Sequence, residues 1–291
     1  MTDFKTGLML LERNLRDKNR SKYTIISYMN DLRQLVNFLK TRGRVNFDST
    51  TLEDLNAFKQ KFLDDENYTT KSVSRKVNSV RLLFRHLNEI GKIPKNTGEN
   101  LRHPKFKNAV PRVLSKTEYM AIRDASRANP KFYSIIQVLL QTGIRVGELV
   151  RLHITDIKAI NNKNYLSIMQ YQSQPARNVP INDMALDAVK KWLAVRPKVD
   201  SPYIYITRTS KPIIVRNLRT SLLRIFKKAG VNNATVNDLR NTFIAYYVAK
   251  GVPKAEIAKL VGHKNLSTVD RYRGLFTFEK KDSLQGKELV L

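Results

Sequence analysis

FYSIIQVLLQTGIRVGEL, residues 132–149, runs an apolar segment into a glycine and then an arginine. The stretch from Phe132 to Gln141 predicts a buried helix, because its apolar residues cover more than one face. Gly143 follows where a helix ends in the left-handed conformation that glycine adopts without a Cβ clash. Arg145 comes next, just before another helical turn. Glu148 lies three residues further on, where it can orient Arg145 or cap that turn.

Working outward, Ser115 and Glu118 have the spacing of a capping box that opens a helix. Downstream, Tyr165–Met169 and Arg177–Ile181 predict two strands joined by a polar loop. Met184–Leu193 predicts a helix, and Tyr203–Ile206 with Pro212–Val215 a second short extended pair. Leu218–Lys228, Leu239–Lys250 and Lys254–Val261 follow as helices, with Asn237 or Asp238 capping the second and Gly262 ending the third. The first hundred residues are helical in pattern. Ile25, Met29, Leu32, Val36 and Leu39 recur at helical spacing behind Ser21, a candidate N-cap, and Val73, Val77, Val80, Phe84 and Leu87 repeat the pattern. Shorter helices are expected near Phe4–Leu15 and Leu52–Phe62. The expected fold class is mostly α with a small antiparallel β-sheet: an N-terminal helical bundle over 1–94 and a mixed α+β domain over 112–276. A basic linker over 95–111 joins them, and a charged C-terminal segment, 277–291, ends in Leu289-Val290-Leu291.

The chain carries 53 Lys and Arg against 25 Asp and Glu, a net charge of +28, and so repels itself unless a polyanion is its partner. Nucleic acid fits best, because neutralising phosphates releases counterions. A membrane surface fits less well, since the basic residues are spread along the chain and form no single amphipathic helix. The absence of cysteine excludes disulfides, thiolate metal sites and a cysteine nucleophile. The four histidines lack paired metal-ligand spacing, and there is neither a Walker loop nor a dinucleotide fingerprint, so no metal or nucleotide cofactor is expected. No apolar run long enough for a membrane span and no signal-peptide core is present, and the expected location is the cytoplasm, at the nucleoid.

The chemistry lies in four residues. Arg145 and Arg240 are two guanidiniums able to clamp one phosphate through paired N–H···O bonds. His263 follows 23 residues after Arg240, and Tyr272, a hydroxyl nucleophile, nine residues after that. Taken singly each is ordinary: surface arginines, a helix-terminus histidine, a packed tyrosine. Together, two phosphate-clamping guanidiniums and a hydroxyl nucleophile suggest covalent phosphoryl transfer on a nucleic-acid backbone.

With these residues in place, the chain resembles the tyrosine recombinase (phage integrase) family, in its Xer-like or transposon-resolvase-like two-domain form. Residues 142–149 match that family's first-arginine box. Asp238-Leu239-Arg240 and Leu260-Val261-Gly262-His263 match its second, and the interval from His263 to Tyr272 matches its nucleophile spacing. Ser21-Lys22-Tyr23-Thr24 and Ser27-Tyr28 with Asp31-Leu32 look like its core-DNA-binding helical domain. Val110–Ser115 looks like the entry to its catalytic domain. The resemblance implies a site-specific recombinase in which Tyr272 attacks the scissile phosphate, releases a 5′-hydroxyl and leaves a 3′-phosphotyrosine. Arg145 and Arg240 would stabilise the non-bridging oxygens, and His263 would bond the phosphate or assist proton transfer. It also implies duplex DNA with paired inverted repeats as partner, a homotetramer in synapsis with residues 277–291 exchanged between protomers, and possible accessory proteins.

Two positions depart from the family pattern. Asn237 stands where the family has His or Lys. Gln172 stands where it has a lysine that protonates the leaving oxygen, and no lysine lies between Lys163 and Lys190. Lys211 or Arg177 is a candidate replacement; water with His263 is another route. The alternatives to recombination are a catalytically impaired DNA-binding accessory protein and an enzyme like a type IB topoisomerase or telomere resolvase. Candidate DNA contacts are Arg75, Lys76, Arg81, Arg102, Lys105, Lys107, Arg177 and Arg219.

Overall fold

The computed structural model describes residues 2–105, 109–171 and 174–277, and the chain divides into two compact units between Asn108 and Ala109. The N-terminal unit holds α1 (Phe4–Asp17), α2 (Lys22–Thr41), α3 (Leu52–Leu63) and α4 (Thr70–Glu89). Each begins at a polar cap; Ser21 Oγ accepts from Thr24 N at 3.0 Å, as its position predicts. The periodic apolar residues named above all point inward, and Phe47, between α2 and α3, meets Phe4 and Phe84 edge-on at 4.9 and 5.8 Å between centroids.

The stretch expected to be a linker from residue 95 is anchored on this unit for part of its length. Ile93 and Leu101 are buried in the helical core, and Arg81 Nη1 donates to the Leu101 carbonyl at 3.3 Å. Two isolated apolar residues among prolines show no period, so the sequence pattern concealed the packing.

The second unit begins with α5 (Lys116–Ser126), opened by the expected Ser115–Glu118 capping box, and α6 (Pro130–Thr142). From Ser134 to Thr142 every residue of α6 is buried, and Gly143 ends the helix with φ +61°. A one-turn helix, α7 (Val146–Leu149), follows. The sheet is three-stranded and antiparallel in the order β1 (Ile157–Ile160), β2 (Lys163–Ile168), β3 (Arg177–Pro180), with Leu166 paired to both Ile157 and Val179. Sequence periodicity predicts only the second and third strands. β1 has no fully buried residue and sets only Ile157 against the core, but Asn161 and Asn162 have φ +48° and +59°, the two-residue turn that closes a tight hairpin.

Helices α8 (Asp183–Val195), α9 (Val215–Lys228), α10 (Val236–Ala249), α11 (Lys254–Val261) and α12 (Ser267–Asp270) complete the unit. The extended pair is shorter than expected: Ile206 bridges Pro212, but Val215 already starts α9. The cap of α10 also differs. Thr235 occupies the N-cap position and the Asp238 carboxylate accepts from its backbone N–H at 2.7 Å, so Asn237 and Asp238 lie inside the first turn. No helix among the described residues is long and apolar enough to cross a membrane, and none of their His, Asp and Glu side chains form a metal-holding group.

Candidate active site

The site is assembled around the C-terminal end of α11. The last carbonyls of a helix have no partner within it and attract positive charge. Here three consecutive carbonyls each accept from a different arginine: Leu260 from Arg177 Nε at 2.7 Å, Val261 from Arg240 Nη2 at 2.6 Å and Gly262 from Arg145 Nη2 at 2.8 Å. Gly262 takes φ +65°, and a Cβ there would lie 3.1 Å from Arg177 Nη1 and 3.2 Å from Arg145 Nη1. Glycine at this position both ends the helix and lets two guanidiniums approach its backbone.

Each arginine is fixed from a second side. Arg240 Nη1 donates to the Gly143 carbonyl, and Phe243, one turn further along α10, packs where a Gly143 side chain would stand. Arg177 makes paired bonds of 2.9 and 2.8 Å to the two Glu148 oxygens, and Arg145 adds its Nη1 to the same carboxylate at 3.1 Å and its backbone N–H at 2.8 Å. Burial opposes ionisation of Glu148, but the Arg177 and Arg145 hydrogen bonds and charges outweigh it and hold its pKa at about 2. Glu148 thus orients Arg145, as the sequence suggests, and holds Arg177 as well.

Arg177 is corrected from a DNA contact to a buried member of this cluster, its side chain only 5% exposed. The Arg240 guanidinium is equally enclosed; burial, then the neighbouring Arg145 charge, lower its pKa to about 9. The same causes, burial first and then the charges of Arg240, Arg145 and Arg177, press the pKa of His263 down to about 4, so its ring is neutral near pH 7. Its buried Nδ1 has no partner among the described residues. A cluster of three guanidiniums with one carboxylate leaves an excess of positive charge, which suits an anion.

Tyr272 lies just beyond α12 and is 7% exposed. Burial raises its pKa, against the opposing effect of the Arg240 and Arg271 charges. Its hydroxyl donates to Asn241 Oδ1 at 2.9 Å. Asn241 was missed in the sequence, where it is one polar residue inside a helix. The signal available was its place beside Arg240. Asn237 is exposed and donates to the same Oδ1 at 3.2 Å.

The other expected site residues scatter. Lys211 is exposed on a turn closed by Thr207 N to Lys211 O at 2.8 Å, with no side-chain bond to the arginine cluster among the described contacts. Gln172 and Lys107 lie outside the described residues. Lys76 is a correction: its ammonium is buried, bonded to Asp31 and Gln34 and set over the Phe62 and Tyr68 rings, so it cannot reach DNA. Arg75 is half-exposed and shares Asp31. Arg81 borders a recess lined also by Arg20, Arg85, Asn78, Asn88 and His103. Arg102, Lys105 and Arg219 are exposed.

Residues 111–277 match the model of the phage integrase family, and residues 10–90 match that of the phage integrase N-terminal SAM-like domain. Tyrosine recombinase XerC of Staphylococcus saprophyticus is 28% identical over 271 residues, 88% of each chain, and XerC of Herpetosiphon aurantiacus 26% identical over 260 residues, 86% of this chain and 83% of that one. Among solved structures, a lambda integrase dimer bound to a COC′ core site superposes with a TM-score of 0.75 at 20% identity, covering 96% of this chain and 80% of that one. The Tn1549 transposon integrase in complex with a circular intermediate DNA superposes with a TM-score of 0.75 at 18% identity, over 95% and 97% of the two chains. These likenesses establish the fold that carries the arginine cluster and Tyr272. The family match spans more than half of the chain, which therefore belongs to the phage integrase family and is an enzyme of the tyrosine recombinase class.

Proposed function

We propose that this protein is a site-specific DNA recombinase that cleaves and rejoins strands through a 3′-phosphotyrosine. The observation that carries the reading is the convergence of Arg145, Arg240 and His263 on the end of α11, with Tyr272 on the adjoining turn. In this reading Arg145 and Arg240 bind the non-bridging oxygens of the scissile phosphate, and each can do so with the N–H groups left over from its two side-chain bonds. His263 Nδ1 is an uncommitted group for the same phosphate or its proton. The Tyr272 hydroxyl turns from Asn241 to phosphorus, loses its proton to water, and displaces O5′. Covalent capture keeps the phosphodiester energy in the tyrosyl bond, so rejoining needs no nucleotide hydrolysis.

The N-terminal helical unit and the exposed Arg102, Lys105 and Arg219 hold the duplex, with Arg20, Arg81 and Arg85 adding a basic recess. The partner is duplex DNA with paired inverted repeats. The assembly is a homotetramer; residues 278–291, which hold nearly all of the segment expected to be exchanged, lie outside the described residues. A lambda integrase tetramer bound to a Holliday junction is among the structural neighbours, which supports this reading of the partners.

The test begins by selecting bound duplexes from random DNA with the full chain, then building a nicked suicide substrate on the selected site. A covalent adduct formed by the wild type and absent in Tyr272→Phe is the expected result. Tight binding with no adduct would instead identify a DNA-binding accessory protein. An adduct with relaxation of supercoiled DNA but no joining of two sites would identify a topoisomerase-like activity.

A further inference from the structure

Displacement at phosphorus places negative charge on the departing O5′ as well as on the non-bridging oxygens, and the leaving oxygen needs a donor of its own. The three clustered arginines do not supply an obvious one. Arg177 is enclosed and held by Glu148 and the Leu260 carbonyl, while Arg145 and Arg240 are aimed by the carbonyls of α11. Lys211 is exposed on a separate turn.

Arg151 has the missing property. It follows α7 closely, its backbone N–H bonded to the Glu148 carbonyl at 3.0 Å, so Arg145 and Arg151 flank the same turn. A Cβ on Gly147 would lie 3.7 Å from Arg151 Nη1, so that guanidinium sits beside the turn that carries Arg145. Its Cζ sits 3.6 Å from the centre of the Tyr171 ring. Tyr171 is itself fixed just beyond β2 by reciprocal backbone bonds with Gln174 of 3.1 and 3.0 Å. Stacking on a ring face fixes a guanidinium while leaving its in-plane N–H groups free. Among the described residues, no hydrogen bond or ion pair engages those groups, and the side chain is half-exposed. Arg151 is therefore stacked on a ring face next to the turn that carries Arg145, with its donors available to a ligand.

We propose that Arg151 is a catalytic residue of this strand cleavage, hydrogen-bonding the departing O5′ and stabilising its charge. The proposal rests on the recombinase reading above. In the step, the Tyr272 Oη–P bond forms as the P–O5′ bond breaks, and the bonding pair leaves on O5′. The phenol proton goes to water, O5′ takes a proton from water, and Arg151 stays protonated throughout.

The experiment compares two suicide substrates on the selected site, one with the natural oxygen at the 5′ bridging position and one with sulfur. A thiolate is a far better leaving group than an alkoxide and needs no such donor. Arg151→Ala should slow adduct formation on the oxygen substrate by about 100-fold, the scale of one lost transition-state donor, and leave the sulfur substrate near the wild-type rate. Arg151→Lys should restore much of the loss. Thermal unfolding and DNA affinity of the variant serve as structural controls, and Arg151→Gln replaces Arg151→Ala if the latter does not fold. Equal losses on both substrates, or no loss on either, would overturn the role. Absence of any wild-type adduct would overturn the recombinase reading and this proposal together, whereas an adduct that depends on Tyr272 but not on Arg151 sinks only the latter.

Discussion

The Tyr272 hydroxyl donates to Asn241 Oδ1 at 2.9 Å, and every hydrogen-bonding position of that amide is in use. Its Nδ2 donates to the Arg112 carbonyl and to Asp238 Oδ1, both at 3.1 Å, and its Oδ1 also accepts from Asn237 at 3.2 Å. The amide cannot flip without losing these bonds, so the acceptor facing the nucleophile is fixed. An amide carbonyl is no base, and it holds Tyr272 as a neutral phenol until substrate arrives. Asn241→Ala should lower stability by about 1–3 kcal/mol through partners left unpaired. Tyr272→Phe, which removes one donor and leaves Asn237 in place, should cost less. Urea unfolding of both variants checks the order; a larger loss in Tyr272→Phe contradicts it.

Glu148 is the only carboxylate bonded to Arg145 and Arg177 among the described residues, and all of these groups are at least partly enclosed. Removing one partner of a buried ion pair costs about 3–5 kcal/mol, because the remaining charge is uncompensated. Glu148→Ala should fall in that range in chemical denaturation, and its rate of adduct formation should fall further than its DNA affinity, since Arg145 loses its aim.

Acid should destabilise the protein in two successive windows. The folded state holds His263 at about 4 against an ordinary value of 6.5. Between those values the unfolded chain takes up a proton that the folded one does not, so stability falls as pH drops. Glu148, at about 2 against 4.5, extends the loss below pH 4.5. Unfolding midpoints measured from pH 7 to 4 should decline, and His263→Gln should flatten the upper part of that decline. A His263→Gln curve parallel to the wild type would contradict the assignment.

Gly262→Ala tests the approach of the arginines to α11. The substitution combines a strained φ of +65° with contacts of 3.1 and 3.2 Å to Arg177 and Arg145. Glycine-to-alanine exchange at positive φ costs roughly 1 kcal/mol or more. The displaced guanidiniums should add a loss of adduct formation beyond that stability cost, measured under conditions where the variant is fully folded.

Lys76 and Arg102 separate structural from DNA-binding charge. Lys76→Met should destabilise by about 2 kcal/mol, the scale of hydrogen bonds to a charged group, and leave the salt dependence of DNA binding unchanged. Arg102→Ala should leave stability unchanged and reduce the log–log salt slope by about 1 if it contacts a phosphate.

The sequence by itself determined the helical N-terminal half and the buried α6 ended by Gly143, and it singled out Arg145, Arg240, His263 and Tyr272 as candidates. These were legible because they depend on local spacing: helical periodicity, caps and the intervals between motifs. The missed strand β1 shows the limit, since an exposed edge strand has no core-facing pattern to read. Tertiary structure alone decided that Arg177 joins the cluster across 83 residues and that Arg145 reaches Gly262 across 117. It also decided that Lys76 is buried with Asp31 and that Asn241 holds the tyrosine. A basic residue looks the same in sequence whether its charge meets a carboxylate, a carbonyl or solvent. Only packing brings the partner and excludes the water, and that difference separates the buried Arg177 from the uncommitted Arg151.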